Sequence, residues 1–269
     1  MNRILELPLA RDRWEDVERD LGERTPVVFL DFDGTLSPIV DDPAAAELPP
    51  ATRTAVEQLM QACPVVVVSG RDADDVRGRV GLDGLVYAGS HGFDVIWPDG
   101  RRTERGEEYL DALRRATAHL GEELAHIPGV EIEAKRFAVA VHYRRAPADC
   151  VDEVDACIAR LAEAEPTLRR SGGKRVFELR PDLDWDKGHT VLWLLEELGV
   201  DGTDWVPVYL GDDLTDEDAF AALERYGSGL GLVVRGESDE RATAAHYAIE
   251  DVYEAAEVLQ GLARLAAAR

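Results

Sequence analysis

The sequence predicts an α/β fold, a parallel sheet flanked by helices, interrupted by an inserted α+β domain. Three observations lead there. Short continuous apolar runs at 26–30, 65–68, 85–88 and 207–210, the first two richest in β-branched residues, have the composition of strands buried on both faces. Segments of helical periodicity alternate with them, as βαβ units require. After about Trp97 the strands become more alternating in polarity, as in a sheet with one wetted face.

In chain order, residues 11–21 read as a short amphipathic helix and 26–30 as the first buried strand. A helix at 51–62, a strand at 65–68, a helix at 73–80 and a strand at 85–88 follow. The inserted part is expected to hold helices at 107–125 and 148–164 and strands at 130–133, 138–142 and 176–179. The earlier pattern then resumes with a helix at 187–198, a strand at 207–210, a helix at 216–226, a strand at 230–234 and a helix at 251–267. The predicted organisation is a core, 1–98 and 182–269, around an inserted domain, 99–181, of roughly eighty residues, a workable size for a small domain. No internal repeat or low-complexity segment is visible.

The 269 residues carry 54 acids against 30 bases, a formal charge of −24. Such a surface argues against nucleic acid and anionic membrane as partners, since both need basic patches. The longest apolar runs are too short to span a bilayer, and residues 1–9 lack the apolar region and cleavage site of a signal peptide. A cytoplasmic location is the expectation. Three cysteines, Cys63, Cys150 and Cys157, form no CxxC spacing and read as small apolar residues. Lysine occurs only at 135, 174 and 187. An acidic, lysine-poor chain fits a high-salt cytosol, where screening removes self-repulsion; a high-GC genome that favours Arg and Ala codons gives the same composition. Either way the three lysines stand out.

Chemistry concentrates where the buried strands end, the edge at which parallel sheets bind ligands. Asp31-Phe32-Asp33-Gly34-Thr35 follows the first strand. One carboxylate can attack phosphorus and the other can protonate the leaving oxygen and later deprotonate water. Thr35 offers a hydroxyl and an N–H to an anion. Two carboxylates beside a phosphate call for a hard cation such as Mg²⁺. An Asx-turn with solvated acids is the plain alternative. Gly211-Asp212-Asp213-Leu214-Thr215-Asp216-Glu217 clusters more acids after another buried strand, Asp212 as a metal ligand and Asp216 and Glu217 as acids at a helix N-terminus. Ser69 can hydrogen-bond a phosphate or cap a helix. Lys187 can neutralise a phosphoryl oxygen or be an ordinary surface lysine.

Asp31-x-Asp33-Gly34-Thr35, Ser69, Lys187 and Gly211-Asp212-Asp213 come in the order of the four motifs of the haloacid-dehalogenase-like (HAD) phosphatases, and the resemblance covers nearly the whole chain. It implies a Rossmann-like core and an insertion of the family's second cap type. It implies Asp31 as nucleophile, Asp33 as acid/base, and Ser69 and Lys187 on the phosphoryl group. Mg²⁺ would be held by Asp31, the Asp33 carbonyl and Asp212, with Asp213 beside them. Ser69-Gly70-Arg71, Gly89-Ser90-His91-Gly92, Val141-His142-Tyr143-Arg144, Phe177-Glu178-Leu179-Arg180-Pro181 and the 211–217 segment further resemble trehalose-6-phosphate phosphatases. Phe93-Asp94 departs from that pattern, which has a small residue and then Glu. The resemblance implies hydrolysis of trehalose 6-phosphate. It assigns Thr35, Arg71 and His91 to substrate binding in the core. In the cap it assigns Glu133, Lys135, Arg144, Lys174 and Glu178 to the glucose hydroxyls, which are both donors and acceptors and suit mixed charge. A trehalose-6-phosphate synthase is the protein partner it suggests. Rival readings are a phosphatase for another sugar phosphate (sucrose or mannosylglycerate type), a phosphomutase, and a non-catalytic sensor or synthase subunit.

Overall fold

The β-branched runs become the centre of a mostly parallel sheet in the structure, a computed structural model. It describes every residue except Met1, Asp41, Lys174, Glu237 and Ser238; the expectation for Lys174 therefore lies outside the described residues. After β1 (Asn2–Arg3) and α1 (Trp14–Leu21) the chain runs through β2 (Thr25–Leu30), α2 (Pro50–Met60), β3 (Val65–Val68), α3 (Ala73–Val80) and β4 (Val86–Gly89). Two short strands follow, β5 (Asp94–Ile96) and β6 (Arg102–Glu104). The inserted part holds α4 (Leu110–Glu123), β7 (Glu131–Ala134), β8 (Val139–His142), α5 (Val151–Ala164), β9 (Leu168–Gly173) and β10 (Val176–Pro181). Then come α6 (Lys187–Glu197), β11 (Trp205–Gly211), α7 (Leu214–Tyr226), β12 (Leu230–Val234), β13 (Ala242–Thr243), β14 (Tyr247–Ile249) and α8 (Val252–Ala267).

By contacts the chain divides into two units, residues 1–102 with 185–269, and residues 103–184. In the first, the sheet runs β14-β12-β11-β2-β3-β4-β5-β6. Every pair from β14 to β4 is parallel, and β5 pairs antiparallel with β4. Alternate residues feed two apolar layers. Val28, Leu30, Val65 and Val67 pack with residues of α2, α3 and α8; Val27, Phe29, Val66 and Val68 pack with α6 and α7. Burial on both faces explains why these strands are continuously apolar, and each such side chain contributes about 1.5–3 kcal/mol of transfer free energy.

Helix starts are fixed by side chains. Asp186 caps α6 through the His189 amide, Asp251 caps α8 through Tyr253 and Glu254, and Asp213 with Asp216 makes a reciprocal capping box on α7. The helix expected from residue 216 therefore begins at Leu214.

The second unit is a four-stranded antiparallel sheet, β7-β8-β10-β9. Val139, Val141 and Leu179 face α4 and α5 and form its apolar core. The ladder sets Glu133, Ala140, Glu178 and Ser171 side by side, on the face opposite that core. Among the described residues, no helix is long and apolar enough to cross a membrane.

Candidate active site

Three parallel strands deliver their last residues to one edge of the core sheet. β2 ends before Asp31, β3 before Ser69, and β11 at Gly211, before Asp212. Lys187 opens α6 and is 2% exposed. Its Nζ donates to Asp31 Oδ1 at 2.7 Å and to Asp216 Oδ1 at 2.6 Å. Asp216 Oδ1 also accepts from the Tyr209 hydroxyl at 2.6 Å, and its Oδ2 accepts the amides of Asp212 and Asp213, each at 2.9 Å. One carboxylate thus gathers four donors and fixes the turn that carries Asp212.

Burial sets the electrostatics. It pushes Asp31 well above the usual carboxylate range, against the pull of Lys187 and with the repulsion of Asp216, Asp212 and Asp213. Burial disfavours the Lys187 charge, yet Asp216 and Asp31 outweigh it and hold the ammonium well above its ordinary value. Burial likewise raises Asp213, but Lys187 and hydrogen bonds from Thr215 and Asp216 prevail and hold it well below the usual range.

One carboxylate oxygen from each of Asp31, Asp212 and Asp216 lies within 4.8 Å of the others. The Asp213 carboxylate is turned to the helix start, accepting from the Thr215 amide at 2.8 Å and hydroxyl at 2.7 Å. Proximity thus brings Asp216, read in the sequence as a helix-start acid, into the cluster in which Asp213 was expected. Gly34 has φ +88°, and a Cβ there would lie 2.3 Å from Asp212 Oδ2, so both the backbone and the acid demand glycine. A Cβ on Gly211 would lie 2.3 Å from the Asp216 carboxyl carbon.

Thr35 is wholly buried, and its Oγ1 has no hydrogen-bond partner among the described residues. Ser69 Oγ accepts the Arg71 amide at 3.1 Å, which leaves its own proton for another acceptor. His91 has φ 58°, and its amide donates to the Ser69 carbonyl at 2.9 Å. The Arg71 side chain is turned to Asp33 and forks onto both of its carboxylate oxygens; in this arrangement the guanidinium expected to bind substrate is committed to a neighbouring acid. Asp94, which stands where the family pattern has Glu, is buried and paired with Arg102.

In the second unit Lys135 Nζ donates to Glu178 Oε1 at 2.7 Å, and Glu133 meets His142 Nε2 at 2.9 Å. Arg144 lies exposed in the turn after β8. Sequence reasoning missed Tyr209 and Arg241 and gave His142 no role of its own. Arg241 donates to the Asp212 carbonyl at 2.6 Å from a loop with no motif of its own. For Asp216 a signal existed, since three residues after Asp213 is capping-box spacing.

The family model for trehalose-phosphatase matches residues 29–253. The chain belongs to the trehalose-phosphatase family. A curated Mycobacterium bovis protein named trehalose-phosphate phosphatase is 49% identical over 245 residues, 90% of this chain and 62% of that one. One of the same name from Mycobacterium avium is 48% identical over 267 residues, 97% and 68% of the two chains. The chain thus spans about 62% of the length of the first of these. A crystal structure of a trehalose-6-phosphate phosphatase related protein superimposes with TM-score 0.76 at 25% identity, covering 89% of this chain and 97% of that one. The stretch matched by the trehalose-phosphatase model contains the whole cluster, from Asp31 to Arg241.

Proposed function

We propose that the chain is a Mg²⁺-dependent phosphatase that hydrolyses trehalose 6-phosphate to trehalose and phosphate through an aspartyl phosphate on Asp31. The observation that carries this reading is the buried Asp31 carboxylate beside Lys187 and Asp212 at the carboxyl edge of β2 and β11, in a chain of this family. Asp31 attacks phosphorus. Asp33 hands a proton to the departing sugar oxygen and then takes one from the attacking water. Lys187, Ser69 and the Thr35 hydroxyl supply donors to the phosphoryl oxygens. An oxygen-only carboxylate cluster suits a hard cation, and the buried Thr35 Oγ1 suits an anion next to it. Asp31, Asp212 and the Asp33 carbonyl are the residues we assign to Mg²⁺, with the Asp213–Asp216 pair holding their turn. When bound, the cation offsets the charge of the carboxylates and phosphate. Sugar recognition we assign to the second unit, to Glu133, Lys135, Arg144 and Glu178. A synthase partner and a cytoplasmic setting belong to the same reading.

The test is phosphate release from a panel of sugar phosphates, with and without Mg²⁺ and at low and high salt. The expected result is Mg²⁺-dependent release with strong preference for trehalose 6-phosphate, abolished in Asp31→Asn without loss of fold. Preference for another sugar discards the assignment of the second unit's residues. Activity retained in Asp31→Asn discards the mechanism.

A further inference from the structure

We propose that Arg71 is a positioning residue for Asp33, fixing the acid/base carboxylate in place rather than binding substrate. The proposal rests on the functional reading above and deepens it.

The geometry is a two-pronged ion pair. Arg71 Nε donates to Asp33 Oδ2 and Nη2 to Asp33 Oδ1, both at 2.7 Å. Parallel N–H···O bonds of this kind fix a carboxylate in orientation as well as in place, which a single lysine ammonium does not do. Two of the three remaining donors are occupied too. Nη2 also reaches the Pro43 carbonyl at 3.0 Å, and Nη1 reaches Asp75 Oδ2 at 3.1 Å. Asp75 is itself held by Arg79 Nε at 3.0 and 2.9 Å, and Arg79 Nη1 donates to the carbonyls of Ala44 and Ala46. The chain of contacts ties Asp33 to the first turns of α3 and to the 43–46 loop. The Arg71 side chain is 13% exposed and its guanidinium lies 5.7 Å over the Phe32 ring, so it has little room to swing.

This placement has a chemical consequence. A carboxylate has about four lone-pair sites, and the fork takes one on each oxygen, leaving one on each for the travelling proton. Without the fork, Asp33, whose side chain is 41% exposed, keeps its acid group but loses the orientation. Misplacement by about 1 Å is enough to cost on the order of 10²-fold in a positioned reaction. The loss falls on the step in which a poor leaving group needs a proton, because a good leaving group departs without one.

The readout is therefore leaving-group dependence. kcat/KM reports the steps up to phosphoenzyme formation, so it isolates the proton donated to the leaving oxygen. The experiment measures kcat/KM with Mg²⁺ for 4-nitrophenyl phosphate, phenyl phosphate and trehalose 6-phosphate. The samples are the wild type, Asp33→Asn, Arg71→Ala, Arg71→Lys and the Asp33→Asn/Arg71→Ala double variant. Each ratio of nitrophenyl to phenyl ester is taken within one sample, so it does not depend on the active fraction, and a partly folded variant still reads. Arg71→Ala is expected to raise that ratio by at least about 10-fold, in the direction of Asp33→Asn. Arg71→Lys should resemble Arg71→Ala, and the double variant should show no rise beyond Asp33→Asn alone.

A uniform fall on all esters with the ratio unchanged makes Arg71 a phosphoryl ligand and overturns the proposal. A loss confined to trehalose 6-phosphate in Arg71→Ala, where Asp33→Asn also lowers release from phenyl phosphate, makes it a sugar ligand and also overturns it. So does a ratio lower than that of the wild type, which would mean that the fork restrains Asp33 from acting. Absence of Mg²⁺-dependent release from the wild type, or an unchanged ratio in Asp33→Asn, strikes the functional reading instead. An Asp33→Asn variant that behaves as stated beside an unresponsive Arg71→Ala strikes this proposal alone.

Discussion

Replacing Lys187 by methionine removes a cation paired with two buried carboxylates, Asp31 and Asp216. Breaking a buried ion pair by deleting one partner costs about 3–5 kcal/mol, because the remaining charge is left without compensation. The loss must also depend on pH in a definite direction. Burial already raises Asp31 and Asp216, and Lys187 opposes that rise in both. Without it, their folded-state values climb further above the unfolded one, so the folded variant binds more protons than the unfolded chain. Its stability then improves as pH falls. Each proton bound beyond those of the wild type is worth about 1.4 kcal/mol per pH unit, so the deficit should shrink as pH falls from 7 to 5. The assay is urea unfolding in chelator, followed by tryptophan fluorescence at pH 7, 6 and 5. All five tryptophans, Trp14, Trp97, Trp185, Trp193 and Trp205, belong to the first unit, so the signal reports that unit alone. A deficit under about 1 kcal/mol at pH 7, or one that stays constant down to pH 5, refutes the account of Lys187 as a charge shared by two buried acids.

Gly34→Ala forces a side chain into a left-handed backbone and against Asp212; the expected cost is about 1–3 kcal/mol, seen as a lower urea midpoint, together with near-complete loss of phosphatase activity. Glu178→Ala should raise KM for trehalose 6-phosphate about tenfold, the equivalent of about 1.4 kcal/mol, while leaving turnover of 4-nitrophenyl phosphate within about threefold; equal losses on both esters would remove Glu178 from sugar recognition. Burial pushes the Cys63 thiol up to about 12, whereas Cys150 is only half-buried. A disulfide-exchange reagent at pH 8 should therefore modify Cys150 in the native protein and all three cysteines only in urea, because the thiolate is the reacting form.

What was legible in the sequence followed the strength of the local signal. Val65 to Val68 are buried on both faces, so their apolar continuity marks a strand without any help from context. The reverse holds for β9, Leu168-Arg169-Arg170-Ser171-Gly172-Gly173, an edge strand whose composition reads as loop and whose conformation comes from its ladder with β10. Strands β5 and β14, three residues each, are too short to carry a period. The contact-defined unit boundaries, 102/103 and 184/185, lie a few residues beyond the expected 98/99 and 181/182. At the site, the acids were visible as acids, and the roles given to them came from the family resemblance; which of Asp213 and Asp216 pairs with Lys187 was not visible. Whether Asp213 or Asp216 faces Lys187 depends on how the first turn of α7 closes. That Arg71 reaches Asp33 requires two loops 38 residues apart to converge, which no local pattern records.

The Lys187–Asp31 contact joins residues 156 positions apart, on either side of the inserted unit. A ribosome adding about 5–20 residues per second takes about 8–30 s to travel that distance. Throughout that interval the growing chain holds Asp31 but not the Lys187 ammonium that pairs with it, and β2 lacks β11 as a neighbour. The inserted segment is synthesised whole in the meantime, so its own local contacts can close first. The core sheet can be completed only when β11, made after the insertion, pairs with β2, made before it.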